Sequence, residues 1–419
     1  MILLHCADQH LAPSGSKLDA TTGMNARLVD RFRCAKFCVD DGLARGAAMV
    51  VSCGDLLNSP KPTPTELGLA RQVIEAATSR DVPWIQLLGN HESSRSYWEL
   101  HAIDPLRRIP GLTIVDTPCL LDVWRSGQDG LRVCAAGEGP MQDVELQLAC
   151  LPFPNPQFLL RDEETRKLSP GDRNLLIRAK LMDCARGLAA DRLAGVPRIL
   201  LGHWSVDTAA AGTQNRLMLL GGEFTLNAHE LSALGFDAVL LGHIHKRQEI
   251  GDLTVPVVYC GSPEACSFGE EGEQKGYYLH QAAGVDDPGG GTIQFIETPF
   301  RKLVTLSASD FQVRDDGSAD WECEPFPNGA IVRLEIPPGS TLTIAEAVRA
   351  IEAAGAFEAR VTKPRAETER RRETGVTHGM GLEEQLRAWL KQKPELQPLT
   401  EAIIAEALKI EEAVRGGAV

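Results

Sequence analysis

The chain has 419 residues and a net charge of −14, too long for one small core and the wrong sign for a protein that coats nucleic acid through clustered Lys and Arg. Its hydrophobic content of 43% and charged content of 24% are those of ordinary globular proteins, and no stretch reaches the roughly 18 apolar residues of a membrane span. Eleven cysteines, scattered mostly through apolar runs, read as buried thiols in a reducing compartment. A nucleic-acid substrate is still compatible with the charge, because bound divalent cations reverse the local sign of a carboxylate-rich cleft and a partner subunit can add basic surface.

The first apolar run, Met1 to Leu4, carries no basic n-region and no small-residue cleavage site, so no removable signal peptide is expected and a cytoplasmic protein is. The run leads into Asp8-Gln9-His10. A helical stretch, Ala26 to Ala47, holds Cys34 and Cys38 four apart, but no second Cys or His pair completes a zinc site. The next run, Ala48 to Val51, leads into Gly54-Asp55. After a helical stretch from Pro64 to Ser79, Trp84 to Leu88 ends at Gly89-Asn90-His91-Glu92. Strand-like segments follow at 111–115, 130–136 and 144–152. Ile199 to Leu201 then ends at Gly202-His203, and Ala238 to Leu241 at Gly242-His243-Ile244-His245, with further strand-like segments at 255–260 and 276–280. Alternating strands and helices predict an α/β domain over 1–285, and roughly ten strands are too many for one simple sheet, so two packed sheets flanked by helices are expected.

Asp286 to Gly291 has turn and linker composition. A strand at 292–297, further strand-like segments and a helix-like stretch at 344–354 predict a small α+β capping module over 292–363. Residues 364–380, with Arg365, Arg370, Arg371 and Arg372 among compensating glutamates, read as a flexible linker. Over 381–419, apolar residues at helical spacing predict two amphipathic helices separated by Pro394 and Pro398. Neither can bury its apolar face alone, so they fold back on the capping module or dock on a partner.

Five polar fragments therefore follow five buried strands, and in α/β sheets ligands bind outside the carboxyl ends of strands. Their side chains suit two adjacent divalent metals, which need a bridging carboxylate to offset the repulsion between cations roughly 3.5–4 Å apart. Asp55 is the natural bridge, with Asp8, His10 and His245 completing one site and Asn90, His203 and His243 the other. The oxygen-rich share of this mixed ligand set favours manganese. Such a pair holds a bridging hydroxide in line with a phosphorus atom, and His91, next to Asn90, is placed to protonate the departing oxygen.

Asp-x-His, Gly-Asp, Gly-Asn-His-Glu, Gly-His and Gly-His-x-His, in this order, resemble the calcineurin-like metallophosphoesterases, which implies a four-layer αββα sandwich. Ile2-Leu3-Leu4-His5 before Asp8-Gln9-His10-Leu11, together with Tyr259 to Glu264 and Ser267 to Gly276, is similar to the SbcD-type DNA nucleases. That likeness covers residues 1 to about 305 well and the rest in layout. It implies exonuclease or endonuclease action on DNA ends and a capping module that helps seat DNA. It further implies C-terminal helices that bind an SbcC-type coiled-coil ATPase, and a homodimer. Many relatives place Asp or His three residues after the bridging Asp, where this chain has Asn58. An amide can accept a hydrogen bond from His91 but cannot stabilise an imidazolium as a carboxylate does, so a weaker general acid or a shifted exonuclease-to-endonuclease balance is expected.

Other residues read more plainly. His5 is expected to be a packed structural histidine and Glu92 a loop anchor, and His101, His229, His280 and His378 receive no role. Two other functions remain open. A phosphodiesterase or phosphatase for small nucleotides or phosphoproteins fits the metal ligands, although protein phosphatases carry Gly-Asp-x-x-Asp-Arg-Gly where this chain has Gly54-Asp55-Leu56-Leu57-Asn58-Ser59-Pro60. A non-catalytic DNA-end sensor or scaffold fits the tail, although all seven candidate ligands and His91 are present.

Overall fold

A computed structural model describes residues 1–94, 99–127, 130–155, 165, 167–190, 193–210, 224–282, 291–307, 311–313, 319–321, 326–337, 339–363, 382–391 and 393–415. The linker expected over 364–380, with its arginines and His378, lies outside them. The chain runs β1 (Ile2–Cys6), α1 (Ala26–Ala44), β2 (Met49–Ser52), α2 (Pro64–Thr78), β3 (Trp84–Leu87), β4 (Leu112–Val115), β5 (Cys119–Arg125), β6 (Leu131–Ala135), β7 (Val144–Leu151), α3 (Pro170–Ala189), β8 (Arg198–His203), β9 (Ser205–Val206), β10 (Thr225–Leu226), α4 (Ala228–Ser232), β11 (Ala238–Gly242), β12 (Gln248–Ile250), β13 (Val257–Tyr259), β14 (Gly276–Gln281) and β15 (Thr292–Glu297). Beyond these come β16 (Leu303–Leu306), β17 (Phe311–Val313), β18 (Ala319–Trp321), β19 (Ile331–Glu335), α5 (Ile344–Ala353), β20 (Glu358–Thr362), α6 (Leu382–Leu390) and α7 (Thr400–Arg415).

The helices start where local chemistry satisfies their first N–H groups. The Asn25 side chain accepts from the N–H groups of Arg27 and Leu28 at the head of α1. At α2, Thr63 and Glu66 form a reciprocal capping box, and Pro64 occupies a position whose N–H is not needed.

Two sheets form the centre of the molecule. The first has the order β15-β14-β1-β2-β3-β4 and the second β12-β13-β11-β8-β7-β5-β6. In the first, β1, β2, β3 and β4 are mutually parallel; in the second, β7, β8, β11 and β13 are. Parallel strands are buried on both faces, which is why these runs read as continuously apolar. Leu3, Met49, Val51, Ile85 and Leu87 of the first sheet pack against Leu146, Leu148, Ile199, Leu201, Leu240 and Val258 of the second. On its other face the first sheet packs through Leu4, Val50 and Trp84 against Leu28, Val39, Leu69 and Val73 of α1 and α2. The second sheet's outer face, with Leu200, Val239 and Leu241, is covered by Ile177, Leu181 and Met182 of α3 and Leu231 of α4. The result is an αββα sandwich of four layers, each buried aliphatic side chain contributing about 1.5–3 kcal/mol.

β15 pairs antiparallel with β14 over six residue pairs, from Gly276↔Glu297 to Gln281↔Thr292, and so forms the edge of the first sheet. The turn-rich stretch before it suits a hairpin connection as well as a linker, and the first sheet thus extends past residue 285. The cysteines seen in the described residues are free thiols, and Cys34 Sγ donates to Glu264 Oε2 at 3.2 Å.

Chain contacts divide the protein into two compact units. One takes in residues 1–334 and 343–361, including the three-stranded sheet β16-β19-β20. The other takes in residues 335–342 and 362–419. Within that second unit, Arg387 of α6 donates to both carboxylate oxygens of Glu401 of α7, at 2.7 and 3.1 Å, and Leu390 and Ile404 are buried. Among the described residues, no helix is long and apolar enough to cross a membrane.

Candidate metal centre

The loops after β1, β2, β3, β8 and β11 meet at one edge of the sandwich. Asp8 N–H donates to Gly54 O (3.0 Å), His10 N–H to Asp55 O (3.0 Å) and Leu11 N–H to Leu56 O (2.9 Å), so the first two loops lie side by side. Asp8, His10, Asp55 and His243 all have positive φ, between 45° and 84°. Among the described residues, Asp81 and Asp252 alone share that trait outside glycine. Left-handed backbone in bulky residues costs energy and clusters where geometry is functional.

Glycines make the convergence possible. A Cβ on Gly54 would fall 2.2 Å from His203 Nδ1, one on Gly89 2.1 Å from Asp55 Oδ1, and one on Gly242 2.2 Å from Cys53 O. The first two positions let side chains of the cluster approach the backbone, and the third lets the two sheets close on each other.

All eight residues singled out in the sequence come together. His10 Nε2 lies 3.0 Å from His245 Nε2, and Asp8 belongs to the same group, its ligand atoms all within 4.8 Å of theirs. Asn90 Oδ1 lies 3.0 Å from His203 Nε2 and 3.1 Å from His243 Nδ1. Asp55 Oδ2 sits between the two groups, 3.8 Å from His10 Nε2 and 3.2 Å from His203 Nε2. Its other oxygen, Oδ1, accepts from His91 N–H at 3.0 Å. The Asp8 carboxylate accepts from His243 N–H at 3.0 Å. His91 is partly exposed, its ring edge-on to that of His10 with centroids 4.7 Å apart, and its Nδ1 lies 3.2 Å from the Asn58 carbonyl oxygen.

That last contact corrects the expectation for Asn58. Its main-chain carbonyl, not its amide, meets His91, and its exposed side chain is not the group that holds the ring. Glu92 is the loop anchor expected: fully buried, it accepts from Leu57 N–H (2.9 Å) and Gly89 N–H (3.2 Å). His5 is structural, bonded between the sheets to His280 (3.2 Å) and to the Leu241 carbonyl (3.2 Å). His101 accepts from Ser94 N–H at 3.0 Å.

The electrostatics are those of a site built for cations. Burial pushes the Asp8 carboxyl up and the His10 imidazole down. Burial alone would also raise Asp55, but His203, His10 and His91 outweigh it and hold that carboxyl well below the usual range. Burial would lower His203, but Asp55 and Asp8 raise it to about 9. Packing so many titratable groups away from water is costly unless charge is neutralised. His10 Nδ1 is buried without a hydrogen-bond partner, while its Nε2 faces a second imidazole nitrogen. Nitrogen and oxygen atoms gathered around shared points, short of protons to place between them, fit divalent cations of the manganese, iron or zinc kind.

Sequence reasoning missed three neighbours. Phe153, after β7, places its ring 6.3 Å from that of His203 and 6.2 Å from that of His243, and walls that half of the cluster. Glu270 Oε1 lies 3.4 Å from His245 Nδ1, and Lys275 Nζ lies 2.6 Å from Glu270 Oε2. No period or spacing marks Phe153. Glu270 and Lys275 lie in the SbcD-like stretch from Ser267 to Gly276, whose spacing gives neither of them a task.

A family profile described as calcineurin-like phosphoesterase matches residues 1–247. A curated relative, the SbcD subunit of nuclease SbcCD from Bacillus subtilis (strain 168), is 25% identical over 281 residues, covering 66% of this chain and 64% of that protein. The match thus spans less than two thirds of the relative's length. Among solved structures, the calcineurin-like phosphoesterase YfkN from Bacillus subtilis is similar with a TM-score of 0.35 at 15% identity, over 71% of this chain and 88% of that one. A dimetal phosphatase from Danio rerio is similar with a TM-score of 0.37 at 9% identity, over 71% and 97%.

Proposed function

The chain belongs to the calcineurin-like phosphoesterase family, and from that premise we propose that it is a metal-dependent DNA nuclease, hydrolysing phosphodiesters at DNA ends together with a coiled-coil ATPase of the SbcC type. The position of Asp55 Oδ2 between two groups of ligand atoms carries the reading. Asp8, His10 and His245 would hold one cation and Asn90, His203 and His243 the other, with Asp55 shared; manganese suits the set best. When bound, two such cations lower the pKa of water for attack on phosphorus and neutralise the phosphoryl oxygens.

The chain's own groups do the rest. His91 N–H fixes Asp55 Oδ1, which leaves Oδ2 toward the cations. With Nδ1–H donated to the Asn58 carbonyl, Nε2 is the atom of His91 that carries a proton to the departing oxygen. Phe153 excludes water from the His203 and His243 side.

DNA as the substrate is supported by the named activity of the Bacillus subtilis relative and by the likeness of residues 261–276 to SbcD-type nucleases. On the same ground, residues 292–363 seat the DNA, the helices of 381–419 bind the ATPase, and the protein works as a homodimer. The test is end-labelled linear and hairpin DNA incubated with the purified chain in manganese or in chelator, with and without the ATPase. Cleavage in manganese alone is expected. Metal-dependent hydrolysis confined to small phosphodiesters would overturn the DNA assignment.

A further inference from the structure

The loop from Ser262 to Lys275 contributes no side chain to the cluster itself, yet it lies directly behind one of its members. Glu270 is 2% exposed and Lys275 fully buried. Glu270 divides its two oxygens between two tasks. Oε1 lies 3.4 Å from His245 Nδ1, on the edge of that ring opposite Nε2, which faces His10 at 3.0 Å. Oε2 lies 2.6 Å from Lys275 Nζ and accepts from Cys266 N–H at 3.2 Å. The hydroxyls of Ser262 (3.5 Å) and Ser267 (3.4 Å) close the remaining sides of the carboxylate. Lys275 Nζ also donates to the main-chain carbonyl of His245 at 3.0 Å and to Glu273 at 3.0 Å.

One chemistry can be set aside. His245, Cys266 and Glu270 have ligand atoms within 4.8 Å of one another, a spacing that can suit a metal ion. Here the Lys275 ammonium already supplies the cation that Glu270 faces. The arrangement is instead that of a carboxylate behind an imidazole, in which the ring's far nitrogen donates to a carboxylate and its near nitrogen is thereby turned, as an acceptor, toward the metal.

We propose that Glu270, clamped by Lys275, is the positioning residue that fixes the His245 ring and its Nδ1–H tautomer, so that Nε2 is presented to the metal pair. This rests on the proposed role of His245 as a ligand. Lys275 makes the device rigid, because one ammonium holds both the carboxylate behind the ring and the backbone carbonyl of the same histidine. A buried carboxylate without that partner would carry an uncompensated charge. The Ser262 to Lys275 stretch therefore serves one half of the site, that of Asp8, His10 and His245.

The experiment measures manganese binding by equilibrium dialysis to the full chain, wild type beside E270Q, K275M and the double variant, with melting temperatures as a check on folding. The wild type binds two ions. E270Q weakens one of them about 10–100-fold and leaves the other within about twofold. K275M weakens the same ion, and the double variant is no worse than the weaker single, since the pair acts as a unit. Should E270Q not fold, long-range nitrogen NMR of the zinc-loaded wild type reads the tautomer directly, with His245 expected to be protonated at Nδ1. A wild type that binds two ions while E270Q matches it, or a His245 protonated at Nε2, overturns the inference alone. A wild type that binds no pair overturns the metal reading and the inference with it.

Discussion

At the scale of single residues, the groups that hold charge are distinct from the group that moves a proton. His91 belongs to the second kind, being partly exposed and fixed only through Nδ1 and its main-chain N–H. His91→Asn is expected to lower kcat for manganese-dependent hydrolysis about 10²–10⁴-fold, the usual contribution of a positioned proton donor. Asn58→Asp leaves the carbonyl that holds the ring in place, so its effect on kcat is expected to stay far below that of His91→Asn. Parallel steady-state kinetics check both, and an Asn58→Asp loss as deep as that of His91→Asn would contradict the geometry. The eight cluster residues were legible in the sequence because each follows an apolar run that could only be a buried strand. Glu270, Lys275 and Phe153 were not, because their roles depend on which ring edge they meet after folding, and sequence spacing carries no such direction.

At the scale of elements, β1 is tied to the rest of the molecule by more than apolar packing. His5 of β1 and His280 of β14 are bonded to each other between the sheets, and both are buried neutral. Burial, and then His280, hold His5 well below its usual range, and burial holds His280 down to about 3. Unfolding returns both to an ordinary value of about 6.5. Between about pH 3 and 6.5 the unfolded chain therefore binds more protons, so this contribution to stability is fully present above that window and is lost as pH falls through it. His280→Gln can still hydrogen-bond His5 but does not titrate. Melting in chelator is expected to show a shallower fall in Tm between about pH 6 and 4.5 for this variant than for wild type, and equal slopes would contradict the linkage. The elements themselves were largely readable, since strands buried on both faces are unbroken apolar runs. β15 was harder to place: a turn-rich stretch precedes a hairpin strand and a new module alike, and pairing with β14 decides between them.

At the scale of the whole molecule, two sheets packed face to face bring the ends of β1, β2 and β3 to those of β8 and β11, and a two-sided cluster results. Two sheets with flanking helices followed from the number of strands. Their alignment at one edge was implied by family resemblance, since periodicity does not say which ends of two sheets will meet. The central claim is that Asp55 joins two halves of a metal pair. It is tested most directly by a manganese titration followed by electron paramagnetic resonance, on wild type and on Asp55→Asn. The expected result is two ions per wild-type chain with a magnetically coupled signal that Asp55→Asn abolishes. A single ion per chain, or two ions whose signal is uncoupled in the wild type, would contradict it.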